Sequence, residues 1–111
     1  MTKVLFTPEV ELFLDDLSPT LYRLGYFSYY ENADRYVTGL VNAIKADLPF
    51  KTHKFAPKYF DRYGFAMKYA SFKKNRQTTW HVFFNIYLQD DLSETYVVKY
   101  IANNHVIAKY L

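Results

Sequence analysis

The side chains able to hold an anion or move a proton concentrate in the second half of this 111-residue chain. Between residues 51 and 76, Lys51, Lys54, Lys58, Arg62, Lys68, Lys73, Lys74 and Arg76 face a single acid, Asp61. A local field of that sign attracts polyanions or an acidic protein, although the same run also reads as a solvated charged face. Lys73, Lys74 and Arg76 stand closest together, and a guanidinium such as Arg76 grips a phosphate through two parallel bonds. There are three histidines, His53, His81 and His105; imidazole is the side chain suited to acid–base work near neutral pH, and His105 is the candidate for it, with His81 the other imidazole on the sheet. The three are far apart in sequence, with no cysteine and no close carboxylate, which makes a poor metal donor set. No cofactor is implied.

Composition sets the frame for these groups. Half of the residues are apolar and 21% are aromatic, with twelve Tyr and ten Phe. Tyrosine pairs an apolar ring with a wet tip, so this excess suits half-buried faces and interfaces. A chain of this length fits one domain, residues 1–111, and buries roughly two-thirds of its unfolded surface without needing staples. The absence of cysteine fits a reducing, cytoplasmic setting, and no apolar run approaches a membrane span. Charge divides the chain. Residues 1–50 carry four basic and seven acidic side chains, and residues 51–111 carry ten basic and four acidic.

The elements that would position these residues follow from periodicity. Residues 3–6 alternate as a short strand, and Thr7-Pro8-Glu9 opens a helix by cap, proline and dipole. Val10, Phe13, Leu14 and Leu17 give that helix one apolar stripe. Ser18-Pro19 repeats the start signal and Gly25 signals a stop, while 28–31 has capping-box spacing before a second apolar stripe that ends at Pro49. Two or three helices therefore fill residues 8–48. A basic connection holds a short helix over 57–62, closed by Gly64.

From Phe65 the period becomes two. Strands are expected over 65–72, 78–88 and 95–102, joined by short loops as an antiparallel meander. On the central strand, Trp80, Val82, Phe84, Ile86 and Leu88 share one face, opposite His81, Phe83, Asn85 and Tyr87. On the last, Val97, Lys99 and Ile101 alternate against Tyr96, Val98 and Tyr100. Asn103-Asn104 either turns a hairpin or ends the strand before a helical turn or strap; the second is favoured. The expected fold is α+β, an N-terminal strand and two to three helices packed on a C-terminal meander.

This order resembles the RelE/ParE superfamily of bacterial type II toxins. Residues 3–9, Lys-Val-Leu-Phe-Thr-Pro-Glu, look like that family's first strand entering its first helix. Residues 78–84, Thr-Thr-Trp-His-Val-Phe-Phe, sit where it has its central strand. Residues 100–105, Tyr-Ile-Ala-Asn-Asn-His, with Lys109-Tyr110-Leu111 after them, resemble its ending, where a His or Arg and then an aromatic residue enter the site. The resemblance covers essentially the whole chain. It implies a cytoplasmic endoribonuclease acting on mRNA, at the ribosome or free of it, or a protein that poisons DNA gyrase. It also implies neutralisation by a cognate antitoxin; a homo-oligomer is left open but not indicated.

Cleavage of RNA through the ribose 2′-hydroxyl needs a base for that hydroxyl, cations for the charge gathering on phosphate, and an acid for the leaving 5′-oxygen. Arg76, Lys73 and Lys74 would contact phosphate, His105 would be the acid or base, and Tyr110 would stack a base or move a proton. Tyr69, Tyr87 and Tyr100 would add stacking surface. Each has a plainer role as well: a soluble loop for 73–76, a strand-end cap for His105, a packed sheet residue for His81, core for Tyr110. The family places several Lys or Arg on its inner strands. Here 78–88 has none, and positive charge comes from Lys68, the loop, Lys99 and Lys109. A ribonuclease, a gyrase-type binder and a nucleic-acid-binding module without cleavage all stay open. Common to them is the expectation that the sheet's rim gathers its Lys, Arg and His groups into one place.

Overall fold

The structure, a computed structural model, describes residues 2–111. Strand β1 (Thr2–Phe6) passes into helix α1 (Pro8–Arg23) at Thr7, whose hydroxyl accepts the Val10 N–H at 3.3 Å. Pro8 needs no donor at that position, and Glu9 and Glu11 face the positive helix end. Ser18-Pro19 does not start a second helix: α1 runs through Pro19. Val10, Leu14, Leu17 and Leu21 continue one stripe across the proline, and burying it outweighs the single bond Pro19 cannot donate. Ser18 is buried instead and donates to Asp34 Oδ1 at 3.3 Å. At the far end Gly25 has φ +84°, with its N–H on the Tyr22 carbonyl and the Tyr26 N–H on the Leu21 carbonyl. A left-handed residue is what lets both bonds form.

Helix α2 (Tyr30–Asp47) begins at Tyr29, and the capping box expected at 28–31 does not form. Its buried face, Ala33, Val37, Leu40 and Ile44, supplies what the cap does not. These two helices fill the segment assigned to two or three.

Strands β2 (Lys54–Phe55), β3 (Lys68–Lys73), β4 (Thr79–Leu88) and β5 (Glu94–Asn103) follow, then a one-turn helix α3 (Asn104–Ile107). With β1 they form a five-stranded sheet in the order β1-β5-β4-β3-β2. The expected antiparallel meander is β3-β4-β5; β1 joins it parallel to β5, and β2 adds an unforeseen edge. β3 starts at Lys68 rather than Phe65 because Ala66 turns the backbone to φ 51°. Asp61 accepts the Ala66 N–H there, and the Asn85 amide donates to the Phe65 and Ala66 carbonyls.

The alternation along β5 slips at Lys99. Phe83 lies opposite Tyr100 but Phe84 lies opposite Val98, so Lys99 is a one-residue bulge. Ile101 consequently packs with Tyr96 and Val98 under the helices, not with Val97 and Lys99 as simple alternation required. Asn103 then ends the strand by accepting the His105 N–H at 3.0 Å, and α3 begins.

The result is an α+β fold with α1 and α2 on one face of a mixed sheet. Between them lies a dry core that includes Leu40, Ile44, Val82, Phe84 and Val98, each essentially without solvent contact. Among the described residues, no helix is long and apolar enough to cross a membrane.

Candidate functional site

The face turned away from the helices differs in kind. Register sets Tyr69 beside Phe83, Ser71 beside His81 and Lys73 beside Thr79, and places Tyr100 and Ala102 next to them on β5. A 3-10 segment, Lys58–Arg62, and the C-terminal turn lie over part of this face. Phe60 anchors the first by stacking on Phe83 at 4.4 Å, and buried Ile107 anchors the second.

Tyrosines edge this small core. Tyr63 stacks on Tyr100 at 3.8 Å, and Tyr59 stacks on Tyr110 at 3.7 Å with the rings nearly parallel. The Arg62 guanidinium lies 3.9 Å from the Tyr59 ring centre and donates Nε–H to the Tyr59 carbonyl. Two groups that close cannot share one ring face, so Tyr59 is sandwiched between Arg62 and Tyr110. Lys109 Nζ lies 5.1 Å from the Tyr110 ring centre. These cations and the tyrosines form one patch.

Its hydroxyls are not equivalent. Hydrogen bonding from Tyr59, then from Lys109, lowers the pKa of Tyr110, and the Lys109 and Arg62 charges act in the same direction. Burial, and hydrogen bonding to Tyr63, push Tyr100 well above the ordinary tyrosine range. Tyr110 is thus the tyrosine of this cluster placed to give up a proton. Further along the face, His81 Nδ1 lies 2.9 Å from Ser71 Oγ, and burial lowers its pKa, favouring the neutral ring.

The sequence candidates divide between the two sides. Tyr110 and Lys109 belong to the tyrosine patch. Lys99 reaches the open face, donating to the Tyr87 hydroxyl at 2.8 Å, and Lys73 shares that face beside Thr79. Lys74 turns the other way, 5.0 Å from the Tyr36 ring of α2. Lys68 lies opposite Phe84, on the helix side, at the edge beside Phe55. His105 bonds Thr78 through Nε2 at 3.3 Å and borders a cavity beneath α1 together with Phe13 and Trp80. Arg76 is exposed in the hairpin loop, whose base Asn104 ties to α3 through the Thr79 N–H and the Gln77 carbonyl. The rim therefore does not gather all of its cations into one place.

Arg62, Tyr59 and Tyr63 entered the site without being singled out as site residues. Their signal was present: residues 59 and 62 have the i, i+3 spacing of one helical face within the short helix expected over 57–62, and Tyr63 follows at its end. Among the described residues no three His, Asp or Glu side chains come together to hold a metal ion. Comparison with family models, with curated proteins and with solved structures finds no match.

Proposed function

We propose that the open face binds single-stranded RNA and cleaves it by attack of a ribose 2′-hydroxyl on the adjacent phosphate, as the toxin of a type II toxin–antitoxin pair would. The 2′-oxygen forms the new bond to phosphorus and the bond to the 5′-oxygen breaks, leaving a 2′,3′-cyclic phosphate and a 5′-hydroxyl. The observation that carries this reading is the stack of Arg62, Tyr59 and Tyr110, with Lys109 beside the Tyr110 ring, on an aromatic surface; hydrogen bonding from Tyr59 and the two nearby charges help to lower the Tyr110 pKa. Tyr110 donates its proton to the departing 5′-oxygen, and a lowered pKa makes it a better donor. Arg62 and Lys109 take up the phosphate charge, and Lys73 and exposed Arg76 extend the path for the backbone. Neutral His81, beside Ser71, is the acceptor this face offers for the 2′-hydroxyl proton.

Two sequence-based roles change in this reading. With one ring face held by Tyr59, Tyr110 serves proton transfer better than base stacking. His105, bordering the cavity under α1, is left outside the reaction.

Incubating the purified chain with single-stranded RNA, and separately with translating ribosomes, tests this. Fragments ending in a 2′,3′-cyclic phosphate are expected in at least one. Intact RNA in both, at high protein, would refute cleavage; tight binding that falls steeply with salt would then leave a nucleic-acid-binding module.

A further inference from the structure

Ser71 and His81 are register partners on β3 and β4, and Ser71 Oγ lies 2.9 Å from His81 Nδ1. Ala70 and Phe72, on either side of Ser71, pack into the helix-side core, which leaves Ser71 on the open face. A serine hydroxyl donates one proton and can accept as well, whereas a neutral imidazole has one donor nitrogen and one acceptor. Among the described residues, the Ser71 hydroxyl has no acceptor other than Nδ1. His81 Nε2 has no partner in the chain, and the buried polar atoms left without one are His53 Nδ1 and Asn85 Oδ1. Nε2 therefore reaches solvent.

One tautomer satisfies every group. The Ser71 O–H donates to Nδ1, and the ring proton sits on Nε2, where it can donate to water. The reverse, with Nδ1–H donating to Oγ, would leave the Ser71 proton without an acceptor in the chain. The surroundings keep the ring neutral. Ala102 of β5 stands opposite His81, and the titratable groups sharing the face are Tyr69 and Lys73 on β3 and Tyr100 on β5. None of these is a carboxylate, and Tyr69 presents its ring edge-on at 5.9 Å. With its lone pair on Nδ1, the ring can take a proton only from the direction of Ser71.

We propose that Ser71 is a catalytic residue that relays the proton of the attacking ribose hydroxyl to His81. As the 2′-oxygen bonds to phosphorus, its proton passes to Ser71 Oγ while the Ser71 proton passes to His81 Nδ1. Ser71 ends as a neutral hydroxyl, the ring ends as imidazolium, and Tyr110 supplies the proton for the departing 5′-oxygen. Loss of one ring proton to solvent, and uptake of one by Tyr110, restore the starting state. Throughout the attack, Nε2–H remains a donor free to meet a phosphate oxygen. The relay rests on the cleavage proposed above, whereas the tautomer stands apart from it.

Long-range proton–nitrogen NMR of the full-length chain, above the pH at which His81 titrates, reads the tautomer without RNA. A protonated Nε2 and a bare Nδ1 are expected. A protonated Nδ1 would overturn the proposal whether or not the chain cleaves RNA. Ser71→Ala is expected to slow cleavage of single-stranded RNA about 10²-fold or more, with RNA binding and circular dichroism unchanged. Ser71→Thr keeps the hydroxyl on a residue suited to a strand, and is expected to recover most of the rate. A folded Ser71→Ala protein that cleaves at the wild-type rate would overturn the relay while leaving cleavage in place. A folded Ser71→Thr protein as slow as Ser71→Ala would place the effect in packing and overturn it too. Intact RNA with the wild-type chain would remove the cleavage itself, and the relay with it, even where the tautomer is as expected.

Discussion

The two faces of one sheet are built from alternate residues of the same strands, yet they do different things. The helix-covered face carries Val82, Phe84, Val98 and Ile101, buries all four and holds the fold together. The other carries Tyr69, His81 and Tyr100, is only partly covered by a short 3-10 segment and the C-terminal turn, and keeps its polar tips in reach of solvent. Residue choice makes the difference. Branched and phenyl side chains gain from full burial, whereas a tyrosine or histidine buried completely must find a partner for its polar atom. A sheet that fills one face with the first kind and the other with the second therefore keeps its principal dry core apart from the polar groups on which the proposed function rests.

Truncating the dry face should cost most. Phe84→Ala is expected to destabilise the chain by about 3–5 kcal/mol in urea unfolding; a loss under about 1 kcal/mol would mean that the helix side is not the principal core. Phe60→Ala, equally buried but under a thin cover that can collapse, should fall near the low end, about 3 kcal/mol. It should also erase the near-ultraviolet circular dichroism of the tyrosine stacks. An unchanged aromatic signal would show that Phe60 does not hold the 3-10 segment in place.

How much of this contrast was legible beforehand varies along the chain. The alternation of Trp80, Val82 and Phe84 against His81 and Phe83 is visible in the sequence because a period of two survives wherever the ladder is regular. It failed at Lys99, where a bulge shifts the phase and a residue count carries no sign of it. The Ser18-Pro19 signal misled for another reason: local capping chemistry lost to a stripe that needed one more turn. The parallel pairing of β1 with β5 is a contact between residues about ninety positions apart, which no local pattern encodes. At the site, Tyr110 and Lys109 could be singled out from their types. Arg62 joined them only through the packing of Phe60 on Phe83.

Smaller effects sharpen the comparison. Arg62→Ala is expected to weaken RNA binding about tenfold, to lower the salt dependence by about one released counterion, and to change stability by less than about 0.5 kcal/mol. Arg35→Ala, on α2 and bonded to Asn32, should leave RNA binding unaltered. Equal losses from both would show that net charge, not the tyrosine face, attracts RNA. The smallest effect concerns pH. Burial holds His81 below its ordinary value of 6.5, so the unfolded chain takes up its proton first as pH falls. That stability is fully present above pH 6.5 and declines as pH drops below it toward the folded value. His81→Asn should flatten this part of the stability–pH curve; an unchanged slope would place the titration elsewhere.

The most direct test of the division between the faces is the rate of RNA cleavage by Tyr110→Phe, measured beside its unfolding curve. Removing a single hydroxyl is expected to slow cleavage about 10²- to 10⁴-fold with little change in stability. Full activity in a folded Tyr110→Phe protein would contradict the account and return His105, on the helix side, to consideration.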